Sequence, residues 1–282
     1  MTQFNSTWLA TAGAAATVLA FTAMSASAAS VTSNAIFGSG NANGGFTIDT
    51  GIYGDPVVLG NDLPVAELGL RAKLRFDENN QPQNEFNYDG VDTYTFTAGL
   101  PPSGFGFAPG STGTATWNFE WSIGSDSQFP GLPLENVTSV NALTYELRID
   151  GDAGAGTDFL VFDPINVPFA DHSFGTSVTG AGAGVEAVDG ADYANLIATS
   201  SLAQNSWNYE FFNNPGSPLA FFDARNAGSY RIELEAFSNG VSIASTGINV
   251  NVVPAVPLPA GLGLLLGGLG VFGLMARRRK TA

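Results

Sequence analysis

Period-two alternation of apolar and polar residues runs through the middle of the chain and predicts strands. In "ELGLRAKLRF", Leu68, Leu70, Ala72, Leu74 and Phe76 fall on one face, while Arg71, Lys73 and Arg75 fall on the other. "TATWNFEWSI" sets Ala115, Trp117, Phe119, Trp121 and Ile123 against Thr116, Asn118, Glu120 and Ser122. The same rhythm opposes Tyr145, Leu147 and Ile149 to Glu146 and Arg148, and Tyr230, Ile232 and Leu234 to Arg231, Glu233 and Glu235. Strands of this kind predict antiparallel sheets packed face to face, each with a wet outer side. Turn chemistry separates them: Asp77 to Gln83 reads as a polar loop, Asp89-Gly90 as a turn, and Ser238-Asn239-Gly240 as the hairpin between the last two strands. One stretch, "ADYANLIATSSLA", reads as a short helix. The fold class is therefore all-β, an antiparallel β-sandwich. "FPGLP", near 129–135, is the candidate break if the sandwich has two lobes.

Charge sharpens this picture. All 25 acidic residues lie between Ala29 and Val253, against six basic ones: Arg71, Lys73, Arg75, Arg148, Arg225 and Arg231. That region is thus more negative than the whole chain, whose formal charge is −15. Such a surface repels nucleic acid and anionic lipid, and it attracts divalent cations. The chain has no cysteine, which rules out disulfides, a thiolate nucleophile and thiolate-bound zinc.

Both ends read as targeting segments. Leu9 to Phe21 is an apolar, alanine-rich run followed by "SASAAS", where Ala26 and Ala28 fit a signal-peptidase site; residues 1–28 are expected to be a signal peptide. At the other end, 254–282 has three parts in order. Pro254, Pro257 and Pro259 keep the chain extended, Ala260 to Ala276 forms an uncharged glycine-rich span, and Arg277, Arg278, Arg279 and Lys280 close it. The basic stop would remain in the cytoplasm, with the acidic region 29–253 outside. Val256, Pro257, Leu258, Pro259 and Ala260, with the span and basic stop behind them, resemble the VPLPA type of C-terminal sorting signal, a relative of the PEP-CTERM signals. The resemblance covers the tail. It implies a bacterial envelope protein sorted by an exosortase, a membrane-embedded processing enzyme, in an exopolysaccharide or biofilm-matrix setting. The closing stretch from "AGSYRIELEAF" to Val253 is similar to the last hairpin of immunoglobulin-like and PKD-like extracellular modules, implying an immunoglobulin-like or jelly-roll-like sandwich.

Candidate chemistry is sparse. His172 is the single histidine, and no nucleophile elbow accompanies it, so it reads as a structural residue. Trp117 and Trp121 share the apolar face with Phe119, which makes them core residues before a sugar platform. "RIDGDAGAGTDF" places Asp150, Asp152 and Asp158 among three glycines. It reads either as a solvated acidic turn or as an oxygen-rich calcium site, to which Asp163 and Asp171 would add ligands. It departs from the EF-hand pattern, with Ala155 where that loop has glycine and no closing glutamate.

Two readings follow. The first is an exported, non-enzymatic surface or matrix protein, structural or adhesive, with the membrane, an exosortase-type enzyme and exopolysaccharide as partners and no nucleic acid. The second is a carbohydrate-binding module or a two-carboxylate glycosidase. The second needs exposed aromatics beside polar partners, and it loses its best supports if Trp117, Trp121, Trp207 and Tyr209 are buried.

Overall fold

A computed structural model describes residues 35–37, 45–55, 63–84, 87–102, 111–127 and 138–255. The signal segment with Ala26 and Ala28, the motif Val256–Ala260, the span, the basic stop and the break near 129–135 lie outside these residues. Among the described residues, no helix is long and apolar enough to cross a membrane.

The described chain forms two mostly antiparallel sheets and one helix around a common core. The first sheet has six strands: β1 (Thr47–Ile52), β2 (Val65–Leu74), β4 (Trp117–Gly124), β9 (Leu202–Trp207), β7 (Ser173–Gly175) and β8 (Val185–Glu186), in that spatial order. The second has five, in the order β3 (Thr93–Thr97), β11 (Val241–Val253), β10 (Gly228–Ser238), β5 (Thr144–Asp150) and β6 (Phe159–Phe162). All pairings are antiparallel except β3 with β11. Strands from both sides of 128–137 enter both sheets, and β4 pairs directly with β9.

The alternating residues meet between the sheets. Leu68, Leu70 and Ala72 of β2, with Trp117, Phe119, Trp121 and Ile123 of β4, join Leu147, Ile149, Ile232, Leu234, Ile248 and Val250 in one buried cluster. Full burial of each large aliphatic side chain contributes about 1.5–3 kcal/mol. The β10–β11 hairpin turns on Asn239 and Gly240 at φ 51° and 76°, the positive angles that suit the right-handed twist of the flanking strands. The helix α1 (Gly190–Thr199) begins where the Asp189 side chain accepts from the Asp192 amide at 2.9 Å. The sheets draw together where β1 lies against β11: Asp49 Oδ2 accepts from the Ser245 amide at 2.7 Å, and Thr246 Oγ1 donates to the Thr47 carbonyl at 2.9 Å. Gly51 permits this approach, since a Cβ there would stand 1.9 Å from the Ile243 carbonyl oxygen.

One expectation is corrected. The polar faces of β2 and β4 are not wet: Arg71, Lys73 and Glu120 are all 0 % exposed. Part of their cover comes from an upstream segment. Phe46 lies under the Arg71 guanidinium at 4.4 Å, and the Phe37 ring stands 5.9 Å from Lys73 Nζ. Residues 35–37 are tied down through the main-chain groups of Ala35 and Ile36. The Ile36 amide donates to Gln204 Oε1, and the Gly182 and Gly184 amides donate to the Ala35 and Ile36 carbonyls. Gly69 gives Phe46 its seat, because a Cβ at that position would lie 3.0 Å from the ring's own Cβ. Beneath this cover Glu120 holds both cations, Arg71 Nε at 2.5 Å through Oε2 and Lys73 Nζ at 2.7 Å through Oε1.

Candidate functional site

The loop joining β5 to β6 has a cleft on each side. On one side a cleft of about 530 Å³ is lined by Asp150, Gly154, Gly156, Ser229, Arg231 and Asn249. On the other a cleft of about 610 Å³ is lined by Asp158, Asn213, Pro215, Ser217, Pro218 and Phe221.

Asp150 builds the loop. Its side chain is 1 % exposed and is occupied by main-chain donors: Oδ1 accepts from the amides of Asp152 at 3.0 Å and Asp158 at 2.8 Å, and Oδ2 from the Arg231 amide at 3.3 Å. Asp152 turns aside to accept from the Gly154 amide at 2.8 Å. Gly151 is required by closeness, since a Cβ there would meet the Pro218 carbonyl at 2.4 Å. The other two acids considered as ligands serve elsewhere. Asp163 accepts from the Tyr145, Ile165 and Asn166 amides, and Asp171 from the Asn205 side chain. Among the described residues no three acidic or histidine side chains converge to hold a metal. The sequence grouped Asp150, Asp152 and Asp158; in the structure the carboxylates of Asp150 and Asp152 accept from different amides, and Asp158 lines the larger cleft.

Charge on the neighbouring face is paired. Arg231 Nη1 reaches Asp92 at 3.3 Å and Asn249 at 3.2 Å, and its Nε reaches Glu233 at 3.2 Å. Arg148 bridges Glu146, Glu233 and Glu235, the last at 2.8 Å. These partly exposed contacts order the outer side of the second sheet more than they stabilise it.

His172 is buried against Trp121, Trp207, Phe174 and Tyr193. Its Nε2 lies 2.7 Å from the Pro164 carbonyl, and its Nδ1 lies 3.0 Å from Asn205 Nδ2. The amide donates to Nδ1 and the ring donates from Nε2, an arrangement that requires the neutral imidazole. Burial accordingly lowers its pKa to about 4.

Trp117, Trp121 and Tyr209 are buried, and Trp207 packs against Phe119, Phe162 and Phe212. The three buried rings offer no platform to a ligand, and Trp207 is half-buried. The most exposed aromatic among the described residues is one the sequence reading passed over: Phe221 is 96 % exposed on the rim of the larger cleft. Its neighbour Phe222 is buried against Trp117 and Tyr209, so the "FF" pair in a loop containing Pro215, Gly216 and Pro218 was the available signal. One member must face outward when the other enters the core. Among the described residues each cleft is lined by a single carboxylate, Asp150 in one and Asp158 in the other.

No protein-family model, no curated protein and no solved structure matches the chain.

Proposed function

We propose that the chain is an exported bacterial envelope or matrix protein, delivered through its C-terminal sorting signal. Its β-domain would serve as a structural or adhesive, non-enzymatic element beside exopolysaccharide. The sequence of the tail carries this reading, with three parts in succession: the VPLPA motif at Val256–Ala260, the glycine-rich span and the basic stop at Arg277–Lys280. An acidic, cysteine-free region with a closed apolar core suits life outside the cytoplasm, where its stability comes from packing. The immunoglobulin-like or jelly-roll-like assignment belongs to the same reading, as do the signal peptide and the exosortase-type partner.

The test is fractionation of cells producing the full chain or one with Pro257→Ala and Pro259→Ala. The wild type should be shortened and leave the inner membrane, and the variant should stay there at full length. Identical processing of the two chains would refute a sorting role for the motif.

A second reading, glycan binding, is favoured by Phe221 and the polar groups of the same cleft, Asn213, Ser217 and Asp158. An exposed ring beside hydrogen-bonding groups suits the face of a sugar.

A further inference from the structure

We infer that Lys73 and Asn118 are built to join as an intramolecular amide, with Glu120 carrying the protons. Lys73 and Asn118 are direct cross-strand partners on β2 and β4, and Arg71 and Glu120 form the next pair on the same face. Directly opposed residues have Cβ atoms about 4.5–5.5 Å apart, which leaves a lysine side chain ample reach to the amide carbon of its partner. Lys73 Nζ already rests 2.7 Å from Glu120 Oε1, with both side chains closed to water.

The remaining requirements are met by neighbours. Asn118 is buried, and its Oδ1 accepts from Asn208 Nδ2 at 3.0 Å, which polarises the carbonyl and would stabilise charge developing on that oxygen. Asn208 is itself held by the Ala115 amide and by the Ala115 and Trp117 carbonyls, so the donor is fixed. Asn118 Nδ2 donates to Ser206 Oγ at 3.0 Å, which fixes the amide plane. Burial, with the like charges of Arg71 and Arg75, holds the Lys73 ammonium below the usual lysine range and favours its nucleophilic form. The Phe37 ring beside Nζ helps keep water away.

The chemistry balances without a co-reactant. Glu120 takes a proton from the Lys73 ammonium, and the free amine adds to Cγ of Asn118. A proton returned through Glu120 to Nδ2 lets the Cγ–Nδ2 bond break, and the nitrogen leaves as ammonia, which takes up the second proton released by Lys73. One amide replaces another, with no change of oxidation state. Fixed, desolvated neighbours supply the high effective concentration that such an exchange needs.

Protease digestion and mass spectrometry of the folded full-length chain test this directly. The peptides holding Lys73 and Asn118 should be recovered as one branched species, lighter than their sum by one ammonia. Lys73→Arg keeps the buried cation but cannot form the link, so this variant should be folded by circular dichroism and yield two separate peptides of ordinary mass. Asn118→Ala should do the same. Two unjoined peptides from the folded wild type would overturn the inference, as would a branched peptide formed through Glu120 with loss of water.

Discussion

Asn205 donates its side-chain amide to Nδ1 of His172 across 3.0 Å, and that one contact fixes the ring as a neutral donor to the Pro164 carbonyl. A histidine whose folded pKa of about 4 lies below its ordinary 6.5 binds a proton in the unfolded chain first. Stability should therefore fall as pH drops from 6.5 toward 4, by about 3 kcal/mol, and this contribution should level off below that. Urea unfolding between pH 7 and pH 4 measures the slope. His172→Gln should be less stable at pH 7 and should lose most of that dependence. A slope unchanged in the variant would place its origin elsewhere.

A second acid window lies lower. Asp77 is held below the usual carboxylate range by the amides of Gln81 and Asn79, and Asp89 by those of Val91 and Thr93. Depressed carboxylate values stabilise the fold above the unfolded value near 3.8, and the contribution disappears as pH falls through the folded values. Asp77→Asn and Asp89→Asn should each flatten the stability profile below pH 4 and leave the His172 window untouched.

Asp150 serves three main-chain amides. Asp150→Ala strands three partly buried donors and should cost about 3 kcal/mol. Thermal unfolding with calcium and then with chelator should give the same loss. A wild-type midpoint that rises in calcium, with no rise in the variant, would instead restore a metal to the loop.

Gly51→Ala should be among the most damaging single-methyl additions in the chain. The new carbon would meet a main-chain oxygen of β11 that cannot swing aside, so β1 must move as a whole. A loss of about 3 kcal/mol is expected, read from the denaturation midpoint. Gly90→Ala, where the added methyl meets nothing, should cost only about 1 kcal/mol for its positive φ.

Phe221→Ala should leave stability unchanged, since the ring touches water, and should abolish retention on any polysaccharide that binds the wild type. Affinity electrophoresis with the two proteins side by side reads the difference. Equal retention would remove Phe221 as the contact.

Alternation identified β2, β4, β5 and β10 because a strand shows in its sequence which residues share a face. It does not show whether that face meets water. Arg71 and Lys73 look like solvent residues, and only their common anion Glu120 and the missing side chain at Gly69 hint that Phe46 lies across them. Trp117 and Trp121 were read correctly because each stands among apolar neighbours two residues away. The β5–β6 loop was read by composition. Three aspartates among glycines suit either a cation or the loop's own amides, and only atomic directions separate the two. Phe221 was hidden because a pair of adjacent aromatics does not say which one the core accepts.

The parallel pairing of β3 with the end of β11 sets a timetable for the nascent chain. Thr93–Thr97 must wait for Asn249–Val253, and the cover at Ile36 must wait for Gln204. The first sheet cannot close before β9 has emerged, nor the second before β11, so most of the molecule must pass any narrow exit before its core exists. Contacts this distant in sequence also make folding slow. A long-lived open chain can be threaded, and its high negative charge would help to keep it dispersed until the last strand arrives.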